Sequence, residues 1–178
     1  MKYILTITVM TLFVSINLQA QTPSNLIIKE YGTISDLEDV VDPDQAIDYK
    51  IVIDLKAPSP DPATINPGLN NIARMLNLHA AGGIDAERLK VVAAIHGNAT
   101  YTVLNNAGYK AKYGIENPNL DLIKQLNSAG VQLFICSQSL VARNSGLDNV
   151  NPDIEIALSM LTVVTEHQMK GFGLLVFQ

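Results

Sequence analysis

The run VQLFICSQSL, Val131 to Leu140, decides how the rest of the chain is read. Val131, Leu133 and Ile135 alternate with Gln132 and Phe134, so most of the run is apolar and suits a strand buried on both faces. Cys136 closes that strand. Ser137 and Ser139 are both of a type that caps helices, and the spacing predicts a helix through Leu140 to about Asn144, stopped at Gly146. The only cysteine of the chain is thereby set at the carboxyl edge of a sheet, where open α/β sheets bind their ligands. A helix start beside it offers free N–H groups that favour a thiolate. The same position equally suits a buried, inert cysteine, because a free Cys packs like a small hydrophobe.

Upstream, Asn117-Pro118 opens a helix in which Leu120, Ile123 and Leu126 face the core, and Ser128-Ala129-Gly130 ends it. Tyr109 to Pro118 reads as a polar loop carrying Lys110 and Lys112. Leu89 to Ile95, LKVVAAI, is a second core strand that runs into His96-Gly97-Asn98. Ala99 to Asn106 then reads as a helix capped by Asn98. His96 has the same address as Cys136 if the two strands are parallel. Tyr49 to Leu55, YKIVIDL, is the first clear strand. The prolines at 58, 60, 62 and 67 make the next segment a loop. Asn66 caps a helix whose first residue is Pro67, whose stripe is Leu69, Ile72, Ala73, Leu76 and Ala80, and which ends at Gly82-Gly83.

Downstream, Ile154, Ile156 and Leu158 have strand periodicity. Met160 to Met169 suits a helix ending at Gly171, and Gly173 to Phe177 is a final strand expected inside the sheet. Repeated strand–helix–strand units predict a single-domain α/β sandwich with a mostly parallel sheet of about five strands.

At the N-terminus, Lys2 is followed by the apolar run ILTITVMTLFVSI and by Leu18-Gln19-Ala20. This pattern predicts a secretory signal peptide over residues 1–20, and so a soluble exported or periplasmic protein with no stable membrane insertion after cleavage. Residues 21–47, with Pro23, Gly32 and Pro43, read as an extended arm, in which Leu26 to Ile28 could form a short strand. Residues 48–178 form the α/β domain. The chain has 12 Lys plus Arg against 17 Asp plus Glu, a formal charge of −5, and loss of Lys2 makes the balance more negative. That argues against nucleic acid as a partner. An exported chain with one cysteine cannot form an internal disulfide. His79, His96 and His167 are far apart and share no metal spacing with Cys136, so no metal site is expected. GxGxxG, GxxxxGKS, CxxC, HExxH and GxSxG are all absent, which removes those readings in their recognisable forms. No cofactor is expected.

Four features taken together resemble one family: His96-Gly97, the run Tyr113-Gly114 to Asn117-Pro118-Asn119, Cys136-Ser137-Gln138-Ser139, and the ALS-x-LT run at 157–162. The set, within residues 48 to 178, is similar to the DsrE/DsrF-like family, and most of all to its small exported branch. The resemblance implies parallel strands and assembly as trimers or hexamers. It also implies a cysteine that accepts a sulfane sulfur as a persulfide and passes it to another protein; here that cysteine is Cys136.

Three functions stay open on the sequence. In the first, Cys136 carries sulfur between a donor and an acceptor protein. The amides of Ser137 to Ser139 and the Gln138 side chain would receive negative charge, and His96 or Arg143 would lower the thiol pKa. In the second, the chain is a non-catalytic oligomeric module that binds a small anion or thiol metabolite at His96, Gly97, Asn98, Ser137, Gln138, Ser139 and Arg143. In the third, Cys136 is only core. Exposure of Cys136 separates the third from the other two.

Overall fold

The computed structural model describes residues 25 to 178 apart from Asp36 and Glu38, so the predicted signal peptide lies outside the described residues. Five strands form one parallel sheet: β1 Tyr49–Leu55, β2 Leu89–Ile95, β3 Gln132–Cys136, β4 Glu155–Ala157 and β5 Gly173–Phe177, in the order β4-β3-β2-β1-β5. The helices are α1 Pro67–Ala81, α2 Asn106–Tyr113, α3 Leu120–Ser128, α4 Ser137–Ala142 and α5 Met160–Met169. The architecture is a single-domain α/β sandwich. Strand side chains alternate between faces, so each strand divides its apolar residues between two cores. Ile53, Leu55, Val91, Ala93, Ile95, Leu133 and Ile135 pack with α1 to α4 in the larger core. Val52, Val92 and Ala94, with Phe134 beside them, face α5 in a much smaller one.

Local chemistry fixes the first units. Asn66 accepts hydrogen bonds from the amides of Gly68 and Leu69, and Pro67 occupies the first turn of α1, where no N–H is needed. A buried asparagine cluster ties down the loops at the carboxyl edge. Asn119 accepts from the Asn66 amide at 2.7 Å, and Asn66 donates to Ala57 O at 3.0 Å. Asn117 donates to the carbonyls of Thr102 and Leu104. The Asn-Pro-Asn motif is thus accounted for by loop positioning: each asparagine supplies partners for buried backbone groups that water cannot reach.

Four expectations are corrected. Ala99 to Asn106 is not a helix capped by Asn98: a 3-10 segment covers Gly97–Val103, and α2 starts at Asn106 under an Asn105 cap. The segment read as a polar loop at 109 is therefore helical as far as Tyr113, and Tyr109 is buried with its hydroxyl donating to Pro62 O at 2.7 Å. No strand forms at Leu26 to Ile28. The terminal strand β5 lies at the edge of the sheet and not inside it, because α5 crosses from β4 over the second face and delivers the chain beyond β1. Its Leu174, Leu175 and Val176 are 40–46% exposed.

The arm lies across α1. Asn77 is fully buried; it accepts from the Ile28 amide at 2.8 Å and donates to the carbonyls of Ile28, Tyr31 and Gly32. Gly32 has φ +64°, and a Cβ there would sit 2.2 Å from the Arg74 amide nitrogen, so only glycine lets the arm approach the helix this closely. Tyr31 donates to Asp121 at 3.0 Å; burial first, then that carboxylate, pushes the phenol up to about 12.

Candidate functional site

The site follows from where successive helices leave the sheet. The segment after β3 folds to the larger core, where Leu140 of α4 is buried, while the segment after β4 folds to the opposite face as α5. Ligands bind where neighbouring strands send their connections to opposite faces. That crevice is at the carboxyl ends of β3 and β4, and Cys136 pairs there with Ala157. Cys136 shares the face of Phe134, so its sulfur points toward the start of α5.

Cys136 Sγ lies 3.9 Å from Ser159 Oγ. Cys136 is itself the residue before α4, and neither serine caps that helix: Ser137 Oγ donates to Leu158 O at 2.8 Å, pinning α4 to the β4–α5 connection. The helix start that matters electrostatically includes the one from β4. Burial raises the thiol pKa, but the Met160 amide, the Ser139 hydroxyl and amide and the Ser159 hydroxyl outweigh it, and the net direction is downward. His96 and Arg143 are not among the groups responsible, contrary to the role expected of them. The residue is only 4% exposed.

β2 pairs with β3 through Ile95 and Ile135, so His96 and Cys136 follow at neighbouring strand ends on the same face. His96 turns toward β1, and its Nε2 meets Asp54 Oδ1 at 2.5 Å. Asp54, His96 and Cys136 therefore line one face on three adjacent strands. Asp54 escaped the sequence reading, although an acid in the otherwise apolar end of YKIVIDL was a signal. Ser159 was missed too; its position before an apolar helix marked it as a cap, and it accepts from the Leu161 amide at 3.2 Å.

The other expected residues divide into two groups. Ser139 adjoins both the thiol and the neighbouring loop, accepting from the Gly97 amide at 3.3 Å. Gly97 has φ +56°, and a Cβ there would meet Lys56 Cγ at 2.7 Å. Asn98 accepts from Arg143 Nη2 at 3.2 Å, and Arg143 Nη1 reaches Ser139 O at 3.4 Å. Gly97, Asn98 and Arg143 line a cleft of about 260 Å³ with Lys56, Ala57, Pro58 and Gln178. Gln138 is exposed, its amide 3.4 Å from Ser137 Oγ and 3.5 Å from Leu158 O, and it is not among the groups that lower the thiol pKa. Among the described residues no group of three or more His, Cys, Asp or Glu is disposed to hold a metal ion. No helix among them is long and apolar enough to cross a membrane.

Fold and site define a parallel α/β domain with a single thiol at the switch of a five-stranded sheet. The model of the DsrE/DsrF-like family matches residues 48–177, and the chain belongs to that family. Two solved structures share the fold. One is a protein of unknown function, MTH1491, from Methanobacterium thermoautotrophicum, with 14% identity, a TM-score of 0.54, and coverage of 72% of this chain and 99% of that one. The other is the ychN protein from E. coli, with 16% identity, a TM-score of 0.54, and the same coverage. No curated protein sequence matches the chain significantly. Membership links the chain to sulfur-relay proteins at the level of the family.

Proposed function

We propose that the protein is an exported sulfur carrier, in which Cys136 takes up a sulfane sulfur as a persulfide and hands it to a thiol on another protein. The observation that supports this reading is the set of donors converging on a buried sulfur: the Met160 and Ser139 amides and the Ser139 and Ser159 hydroxyls. An inert core thiol needs none of these, whereas a thiolate or persulfide anion needs all of them. In loading, the thiolate attacks the terminal sulfur of a polysulfide. The S–S bond behind that sulfur breaks, the shortened polysulfide leaves with the electron pair, and Cys136–S–S⁻ remains. An acceptor thiolate then attacks the outer sulfur and returns Cys136 to its starting state. The cycle uses no metal and no organic cofactor.

Access requires the first turns of α4 and α5 to yield. Both are weakly anchored, with Leu140 the only buried residue of α4, and Val163 and Val164 the only ones of α5. A second reading, in which Cys136 is only core, is favoured by its burial.

Assembly into trimers or hexamers belongs to the same proposal. Leu158, Leu161 and Met169, before and along α5, are 67–89% exposed, and Leu174, Leu175 and Val176 of the edge strand β5 are exposed as well; apolar surface of this kind calls for a cover. Export after cleavage behind Ala20 completes it.

The test titrates alkylation of the mature protein against pH, then treats it with polysulfide and records the intact mass. A depressed thiol pKa and a gain of one sulfur, both lost in Cys136→Ser, are expected, on a chain beginning at Gln21. Alkylation only after unfolding would overturn the carrier reading. A reactive thiol that never holds sulfur would transfer support to the binding module.

A further inference from the structure

The two edges of the sheet are built differently. β4, at one edge, is three residues long and starts with Glu155. β5, at the other, is GLLVF, with no charge, no proline and an unbroken register against β1. Shortness, charge and proline are what guard an edge strand against pairing, and β5 lacks them. The Lys56 amide donates to Phe177 O at 3.1 Å, so Phe177 turns its backbone groups toward β1. Backbone direction alternates along a parallel strand, so Gly173 and Leu175 do the same, while Leu174 and Val176 turn theirs outward. Among the described residues no strand pairs with that outer edge. Leu174 and Val176 share the α5 face with Val52 and Asp54, and Leu175 shares the opposite face with Ile53. All three are half-exposed, on both faces of the strand.

We infer that a second copy of this chain adds its own β5 to this edge, antiparallel about a two-fold axis at Leu175, so that two sheets become one. In that register Leu174 faces Val176 of the second copy, and Val176 faces Leu174 of the second copy. These are the outward-turned residues, so each pair exchanges both N–H···O bonds. Leu175 meets its own counterpart between them, and every half-exposed side chain of the strand gains an apolar neighbour. The chain carries −5, and β5 has no charged side chain, so like copies meet there without bringing acids together. Pairing β5 with the β4 of another copy would instead build an open filament and would set Glu155 against an apolar strand. The seam takes in α5 as well. α5 returns against the strands in a right-handed crossover, and counting about 3.6 residues per turn from the buried Val163 and Val164 puts Leu161 on the flank toward β5. Val176 is the register partner of Asp54, so the seam also closes the β5 side of the candidate site. The inference rests on the assembly proposed with the carrier function; a trimer has no two-fold axis, so the seam requires an even number of chains.

Light scattering and disulfide cross-linking of the mature full chain test the seam. Val176→Pro removes an outward N–H and leaves the β1 ladder intact, so it should halve the mass while circular dichroism keeps the parent's helix and strand content. The register is tested with single cysteines introduced into Cys136→Ser. Leu175→Cys should oxidise to a covalent dimer, because facing residues of a non-hydrogen-bonded pair lie about 4.5 Å apart at Cα, within reach of a disulfide. Leu174→Cys and Val176→Cys should each resist cross-linking alone, and should cross-link to each other when the two chains are co-expressed. Should Val176→Pro fail to fold, the cysteine series decides by itself. A monomeric parent, or a mass that a folded Val176→Pro leaves unchanged, would overturn the inference. A trimeric parent in which Leu175→Cys does not cross-link would overturn the seam and leave assembly standing. Equal cross-linking at all three positions would overturn the register, and the seam with it.

Discussion

Replacing Ser159 by Ala removes one donor from the thiolate and leaves the sulfur in place. The contact is long, 3.9 Å, and the Ser159 contribution is smaller than those of Met160 and Ser139, so the low end of the range for a hydrogen bond to a charged group applies. That is about 1.5 kcal/mol, or roughly one pKa unit. The thiol, depressed below its ordinary 9.0 in the folded protein, should move up by about that much. Two consequences oppose each other in reaction with a small neutral disulfide. Below the pKa the thiolate fraction falls about tenfold, while each thiolate becomes roughly threefold more nucleophilic. The variant should therefore react about three to four times more slowly well below both pKa values and about three times faster above both. The crossing of the two pH–rate curves is the signature. Loss of the α5 cap, which costs about 0.5–2 kcal/mol, would by itself speed reaction at every pH by easing opening. Ser159→Asn keeps a cap without the hydroxyl and should show the same crossing; Ser159→Thr keeps both and should show none. Curves that never cross, or a pKa unmoved in Ser159→Ala, would refute the donor argument. The linkage has a definite sign: because the folded pKa is lowered, the thiolate's contribution to stability is present above the ordinary value and is lost as pH falls through the folded one. The stability advantage of the parent over Cys136→Ser should shrink over that window.

Asn77→Ala should cost about 2–3 kcal/mol in chemical denaturation and expose the arm to protease, since it orphans the buried Ile28 amide and three carbonyls; a loss below about 0.5 kcal/mol would mean that the arm is held elsewhere. Leu161→Glu, at a side chain 67% exposed in the protomer, should leave folding intact and reduce the mass measured by light scattering to that of a single chain; an unchanged mass would exclude the α5 face from any assembly.

Much of the architecture was legible because its signals are local. Asn66-Pro67 opens α1, LKVVAAI is β2 to the residue, and GLLVF is β5 to the residue. Apolar runs of β-branched residues, caps and glycine stops act over a few positions, and a sequence displays them directly. The 99–113 region failed for the same reason in reverse. Both Asn98 and Asn105 are competent caps, and Asn105 is held in place by contacts across the chain: its amide donates to Asn149 O at 2.7 Å and its side chain to Asp148 O at 2.9 Å.

The sequence by itself determined a parallel α/β domain with Cys136 at a strand's carboxyl end, because strand period and helix signals are short-range properties. Only the tertiary structure decided what surrounds that thiol. Ser159 lies 23 positions away and Asp54 meets His96 across 42, and both meetings depend on the order in which strands enter the sheet. That order also moved β5 to the edge, since one crossover helix must span the whole second face before the chain can pair again. Strand order is set by how helices cover two apolar faces at once, a condition on the whole chain that no single stretch carries.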